Sequence, residues 1–417
     1  LNATSKLVKA WESKNAKNAA KAGGISLMAL SLAACGGSST TTTTAATDTT
    51  TTTTTTTAAT NQAFALTAGF DTFTGGAGDD TFTSALDGNF STDDTLDGGD
   101  GTDTLYLRGE SASVGTASTT GIEVVDVRAT ADYTLNMVNM QTVTTAANNA
   151  SAVNMTFSGA AGSTGLKVVS VSTASKTTSL DFKAKAIDGT ADTVELEIGN
   201  VTAAHDISLN DGGTGTIETL NINSSAKNTA LVTLEDDAVA PTTINITGAG
   251  DLEITATNGM TGATIDASAA TGNVDITLGT LTTARTITGG EGDDTFTEDV
   301  AGDLVNKTTI AGGDGTDTLE LKAASGTILA NTASTGNVEN VSGIETLKLA
   351  AEITGTTTID MSKIVGLKDL TFVDVNDGSA GITVTNLLDG ATITMGDATN
   401  ADTLSNAFTY SFVSNSS

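Results

Sequence analysis

Gly75-Gly76-Ala77-Gly78-Asp79-Asp80-Thr81-Phe82-Thr83 reads as a nine-residue unit, G-G-x-G-x-D-x-U-x, where U is apolar. The unit returns at Gly98 to Tyr106 (GGDGTDTLY), at Gly289 to Thr297 (GGEGDDTFT) and at Gly312 to Glu320 (GGDGTDTLE). Within each pair the starts lie 23 residues apart. Weaker copies fill the gaps in the first block. Residues 66–74 keep Gly69, Asp71 and Phe73, and residues 89–97 keep Asp94 and Leu96, with 84–88 inserted. This register predicts that the unit at 75 stacks on the unit at 98, and the unit at 66 on the unit at 89. In the second block the matching half-turns are 280–288 and 303–311, where Arg285 and Thr308 replace the Asp.

The chemistry of the unit is that of a turn followed by a short strand. Glycines permit a tight turn with its carbonyls exposed. The apolar residue at position eight points inward. Carbonyl oxygens and the Asp carboxylate are hard donors suited to Ca²⁺. The pattern resembles the RTX (repeats-in-toxin) nonapeptides, whose fold is a parallel β-roll. The resemblance implies Ca²⁺ as the bound ion. The residues it implies as metal-binding are Gly76, Gly78, Asp80, Gly99, Gly101 and Asp103 in the first block, and Gly290, Gly292, Asp294, Gly313, Gly315 and Asp317 in the second. A weaker second stack at Asp71 and Asp94 belongs to the first block alone, while Arg285 supplies a positive charge in the second. Gly/Asp turns that need no ion are the other reading of the same residues.

A second repeat follows each block. Gly121-Ile122-Glu123-Val124-Val125-Asp126-Val127 resembles Gly343-Ile344-Glu345-Thr346-Leu347-Lys348-Leu349, and Thr216 to Ile222 is a third copy. Each alternates apolar and polar residues over the length of a strand. Together with the acidic turns, they resemble the repeat segments of bacterial surface-layer and secreted β-repeat proteins. Val194, Leu196 and Ile198 alternate with Glu195 and Glu197, and Ile265, Ile276 and Ile287 sit 11 apart, half of a coil of about 22 residues. A β-solenoid and a β-sandwich both fit such spacing. The expected fold is all-β, solenoid or β-roll segments with sandwich-like modules. The divisions are a leader (1–34), a linker (35–63), a first calcium block (64–110), a β-repeat domain (111–279), a second calcium block (280–322) and a C-terminal β-repeat domain (323–417).

Composition narrows the function. Across 417 residues, 49 Asp+Glu stand against 18 Lys+Arg, a net charge of −31, which makes nucleic acid a poor partner. One Cys rules out a disulfide framework, and one His leaves cluster chemistry only His205, read as structural or exposed. Aromatic residues make up 4% of the chain and the lone Trp is Trp11, so neither a sugar-cleaving cleft nor the aromatic girdles of an outer-membrane barrel are indicated. No enzyme is expected.

The N-terminus points to export. Lys6, Lys9, Lys14, Lys17 and Lys21 precede the apolar run Ile25 to Ala34, which is too short to span a bilayer. Leu32-Ala33-Ala34-Cys35-Gly36 resembles a lipobox, which implies lipidation of Cys35 and a lipid anchor in the membrane. The Thr/Ser tract from Ser38 to Thr60 has no apolar period and reads as a stalk. The expected place is extracellular, at the cell surface, or alternatively on a virion. Three functions compete: a calcium-binding structural protein that self-assembles into a layer, shell or filament, an adhesin or virion surface protein, and a polysaccharide-active β-solenoid. The repeats and the lack of a catalytic cluster favour the first, with calcium and further copies of the chain as partners.

Overall fold

The computed structural model describes residues 59–110, 117–211, 215–229, 232–236, 241–256, 264–278, 285–298, 309–322, 340–350, 357–373, 382–395 and 408–412. The leader, Cys35, most of the Thr/Ser tract and Thr308 lie outside the described residues. Every strand pairing among them is parallel, and successive strands alternate between two faces. One face is a 13-stranded sheet that starts at Ala63–Ala65 and ends at Val341–Ser342. The other is a 12-stranded sheet that starts at Tyr133–Asn136 and ends at Thr392–Met395. Two three-stranded sheets supply the partner face at either end. This is a parallel β-solenoid, each coil giving one strand to each face.

The choice between solenoid and sandwich therefore falls to the solenoid throughout the described part of 111–279. Strand pairing also runs unbroken past the first block, since Thr104–Gly109 pairs with Val124–Ala129. It passes into the second block through Val274–Leu278 and Thr295–Glu298. It leaves through Thr318–Leu321 and Thr346–Leu349.

The core follows from the alternation. In Thr193–Gly199 the residues Val194, Leu196 and Ile198 are buried between the faces while Glu195 points out. Register then piles like on like, and Val194, Leu220, Ile244, Ile265, Ile287, Ile310 and Val341 form one buried column. Ile254, Ile276, Phe296, Leu319, Leu347 and Leu370 form another on the opposite face. The pairing of Ile265 with Ile287, and the place of Ile276 on the other face, are as the 11-residue spacing requires. β-Branched side chains suit such columns because their χ1 is already restricted and they pack well on a pleated surface. Each fully buried aliphatic side chain contributes about 1.5–3 kcal/mol relative to exposure.

His205 lies inside this core, 1% exposed. Its Nε2 meets the Thr178 hydroxyl at 2.8 Å, and Asn148 Nδ2 donates to the same hydroxyl at 2.6 Å. Burial pulls the imidazole down to about 4, so it is neutral at pH 7. Arg285 and Glu298 are also buried, at 4% and 1% exposure. Arg285 is the residue before the strand Thr286–Thr288, where the nonapeptide pattern has Asp.

Candidate metal centre

The predicted stacking is found. Phe82 pairs with Leu105 and Phe73 with Leu96, so the units at 75 and 98 share one edge and those at 66 and 89 the other. In the second block Phe296 pairs with Leu319 and Ile287 with Ile310. The Asp at position six therefore recurs at the same point of successive turns.

Those carboxylates form a ladder with the main chain. Asp80 Oδ1 accepts from Gln62 N at 2.6 Å, Asp103 Oδ1 from Asp80 N at 2.6 Å, and Glu123 Oε2 from Asp103 N at 2.9 Å. The second block repeats it: Asp294 Oδ1 accepts from Val274 N at 2.8 Å, Asp317 Oδ1 from Asp294 N at 2.9 Å, and Glu345 Oε2 from Asp317 N at 3.0 Å. Each acid thus caps the amide of the turn before it. The Glu of each Gly-Ile-Glu segment closes the ladder, because its longer side chain reaches the same amide from the next rung. Sequence reading missed Glu123 and Glu345 as part of the site. Their signal was the Gly-Ile-Glu copy that follows each block.

The second carboxylate oxygen separates the four Asp residues. Asp80 Oδ2 accepts from Gly76 N, and Asp294 Oδ2 from Gly290 N, both at 2.6 Å. Asp103 Oδ2 and Asp317 Oδ2 are buried and have no hydrogen-bond partner. A buried anionic oxygen without a partner is costly unless a proton or a cation meets it. A Cβ on Gly98 would collide with Asp103 Oδ2 and the Gly121 carbonyl, and one on Gly312 with Asp317 Oδ2 and the Gly343 carbonyl. A Cβ on Gly75 would meet Asp80 Oδ2 and the Gly98 carbonyl, and one on Gly289 would meet Asp294 Oδ2 and the Gly312 carbonyl, in the same way, so two hard oxygens converge on each of two glycines per block. Among the described residues no three His, Cys, Asp or Glu form a metal-holding group. A cation here would be held by carboxylates together with carbonyls, a donor set that fits Ca²⁺.

Electrostatics agree. Burial, then the Asp294 and Glu345 carboxylates, push Asp317 up to about 6 despite its bond from Asp294 N. Asp103 and Asp294 are raised too, first by burial, with Glu123 and Asp80 adding to Asp103 and Asp275 and Asp293 to Asp294. Like charges one above another favour the neutral acid, or a shared cation.

The glycines play two roles. Gly99 and Gly101 have φ of +99° and +126°, and Gly313 and Gly315 have +117° and +113°. These are conformations an L side chain rarely adopts. Gly76, Gly78, Gly290 and Gly292 are not in that region. Gly78, Gly290 and Gly292 are needed for closeness instead: a Cβ would lie 2.7 Å from Asn61 Oδ1 at Gly78, 2.5 Å from the Ala270 carbonyl at Gly290 and 2.7 Å from the Gly272 carbonyl at Gly292, whereas at Gly76 it would meet only Gln62 Nε2, at 3.0 Å. Sequence reading had assigned the turn-forming role to the nonapeptide glycines alike.

The weaker stack also forms. Asp94 Oδ1 accepts from Asp71 N at 2.9 Å. Both of its oxygens are engaged, since Oδ2 accepts from Ser91 N at 2.7 Å. Asp71 is likewise held, by Thr67 N at 2.7 Å and Thr67 Oγ1 at 3.1 Å. A third Asp–Glu joint sits between the blocks, where Asp192 N donates to Glu218 Oε2 at 2.8 Å. It uses the third copy of the Gly-Ile-Glu-like strand but has no nonapeptide.

A family model, the RTX calcium-binding nonapeptide repeat (4 copies), matches residues 65–90, 91–109 and 286–297. The chain thus carries RTX-type repeats in a β-solenoid. The turn at Gly312 lies beyond the matched ranges, yet its hydrogen bonds duplicate those at Gly98. No curated protein and no solved structure matches the chain.

Proposed function

We propose that this calcium-binding repeat protein is a structural component that self-assembles at a surface, as a layer, shell or filament. Asp103 with Asp80, and Asp317 with Asp294, would hold Ca²⁺ together with the carbonyls of the neighbouring glycine turns. The observation that carries the calcium part is the uncommitted Oδ2 on Asp103 and on Asp317, each between a buried Asp and the Glu that closes its ladder. The proposal assigns no catalytic residue.

Self-association is supported by the form of the fold. Among the described residues, Ala63–Ala65 and Thr392–Met395 are terminal strands of their sheets. Terminal strands present main-chain groups that another copy can pair. A net charge of −31 opposes contact between copies until cations are bound. Export and surface display rest on the leader, the lipobox-like Cys35 and the Thr/Ser tract of the sequence.

Light scattering of the purified protein at millimolar calcium tests the assembly. Ordered particles or sheets that dissolve on adding chelator are expected. A monodisperse monomer at every calcium and protein concentration would leave calcium binding without assembly, the behaviour of an adhesin.

A further inference from the structure

The chain has three arginines, and two of them, Arg108 and Arg128, stand opposite each other on Thr104–Gly109 and Val124–Ala129. Neighbouring strands are about 4.7–4.9 Å apart, so two like charges are adjacent. The fold neutralises only one of them. Arg108 Nε donates to Glu110 Oε1 at 2.7 Å. Arg128 is exposed, and its guanidinium makes no hydrogen bond or ion pair with the described residues. Both arginines line an open groove of about 390 Å³ with Tyr106, Asp126, Asn149 and Ser84. Tyr106 is 44% exposed on this acidic chain of few aromatics. Asp126 is engaged by Asn149 Nδ2 at 3.0 Å.

We propose that this groove binds a carboxylate-bearing sugar, with the Arg128 guanidinium on the carboxylate and the Tyr106 ring against the sugar ring. Planar guanidinium forks match a carboxylate in geometry. An exposed aromatic ring offers a flat apolar face with a polar tip. Ser84, Asn149 and Asp126 supply donors and acceptors for ring hydroxyls. The local charge decides the class of ligand. With Arg108 held by Glu110, Arg128 is the cation left to meet a single carboxylate, and the strongly acidic remainder of the chain disfavours a polyphosphate or nucleic acid.

The test titrates the full calcium-loaded chain with digalacturonate and with its methyl ester. Saturable binding of the acid, and none of the ester, is expected. Arg128→Gln should weaken it at least about tenfold, the loss expected for a charge-assisted contact. The same variant should keep its calcium stoichiometry and melt no lower than the wild type, since it relieves like-charge crowding. Arg128→Lys keeps the charge without the fork and should fall between. Tyr106→Phe should retain binding that Tyr106→Ala loses. Absent saturation, equal binding of the ester, or indifference to Arg128→Gln overturns the proposal. If Arg128→Gln abolishes association between copies while digalacturonate never binds, the groove is a contact between copies and the sugar assignment is wrong.

Discussion

One hydrogen bond distinguishes Asp103 and Asp317 from Asp80 and Asp294, and it sets where charge is unsatisfied. The folded carboxyl of Asp317 titrates at about 6, above its ordinary value of 3.8. The calcium-free folded state therefore holds this proton more tightly than the unfolded chain does. Its contribution favours folding below about pH 4 and is lost as pH rises through about 6. His205 works the other way. Its folded value of about 4 lies under the ordinary 6.5, so acid must charge a buried ring and stability falls as pH drops through that window. Comparison with Asp317→Asn isolates the carboxylate. In chelator, the wild type should lose melting temperature relative to that variant between pH 4.5 and 7. A constant difference across the range would refute the assignment. If calcium occupies the proposed site, the ion would replace the proton, so wild-type affinity should rise over the same interval.

At the scale of the element, a turn and its strand act as one rung. The apolar residue at position eight anchors each rung, and the acid at position six joins it to its neighbour. Leu105 is fully buried between Phe82 and Val125. Leu105→Ala should cost about 2–5 kcal/mol in thermal or urea unfolding at saturating calcium, and a loss under 1 kcal/mol would contradict that packing. Glu123 closes the first ladder through Asp103 N. Glu123→Gln keeps an acceptor there and removes one negative charge. It should stabilise the calcium-free protein and weaken calcium binding. Equal calcium affinity would show that Glu123 is only a cap.

These rungs were partly legible in the sequence. Asp80, Asp103, Asp294 and Asp317 stood out because glycines fix the turn and 23 residues fix the coil. The Ile265–Ile287 step gave the register at the edge of the second block. Between the blocks the coil length varies, with cross-rung bonds spanning 20 residues at Glu123, 26 at Glu218 and 30 at Asn200. No fixed period survives such variation, so solenoid and sandwich could not be separated. Glu123 and Glu345 were visible as strand residues only, because their role depends on which amide the next rung presents. The difference between Asp80 and Asp103 lies in a single oxygen's partner, which no spacing encodes.

The described coils form a stack whose cohesion opposes the charge of the chain. Parallel pairing carries the columns of Val, Ile and Leu from coil to coil, while −31 net charges favour expansion. A cation bound only by the folded chain shifts that balance by mass action. Chelator should therefore lower the melting temperature or remove the β-type circular dichroism, and a melting curve indifferent to chelator would detach folding from calcium. Calorimetric titration of the full chain, set beside Asp103→Asn/Asp317→Asn, decides whether the two acid ladders hold calcium. The proposed site requires saturable calcium binding by the wild type and the loss of at least one site per ladder in the variant. Unchanged stoichiometry in a variant that still shows the wild-type circular dichroism would contradict it.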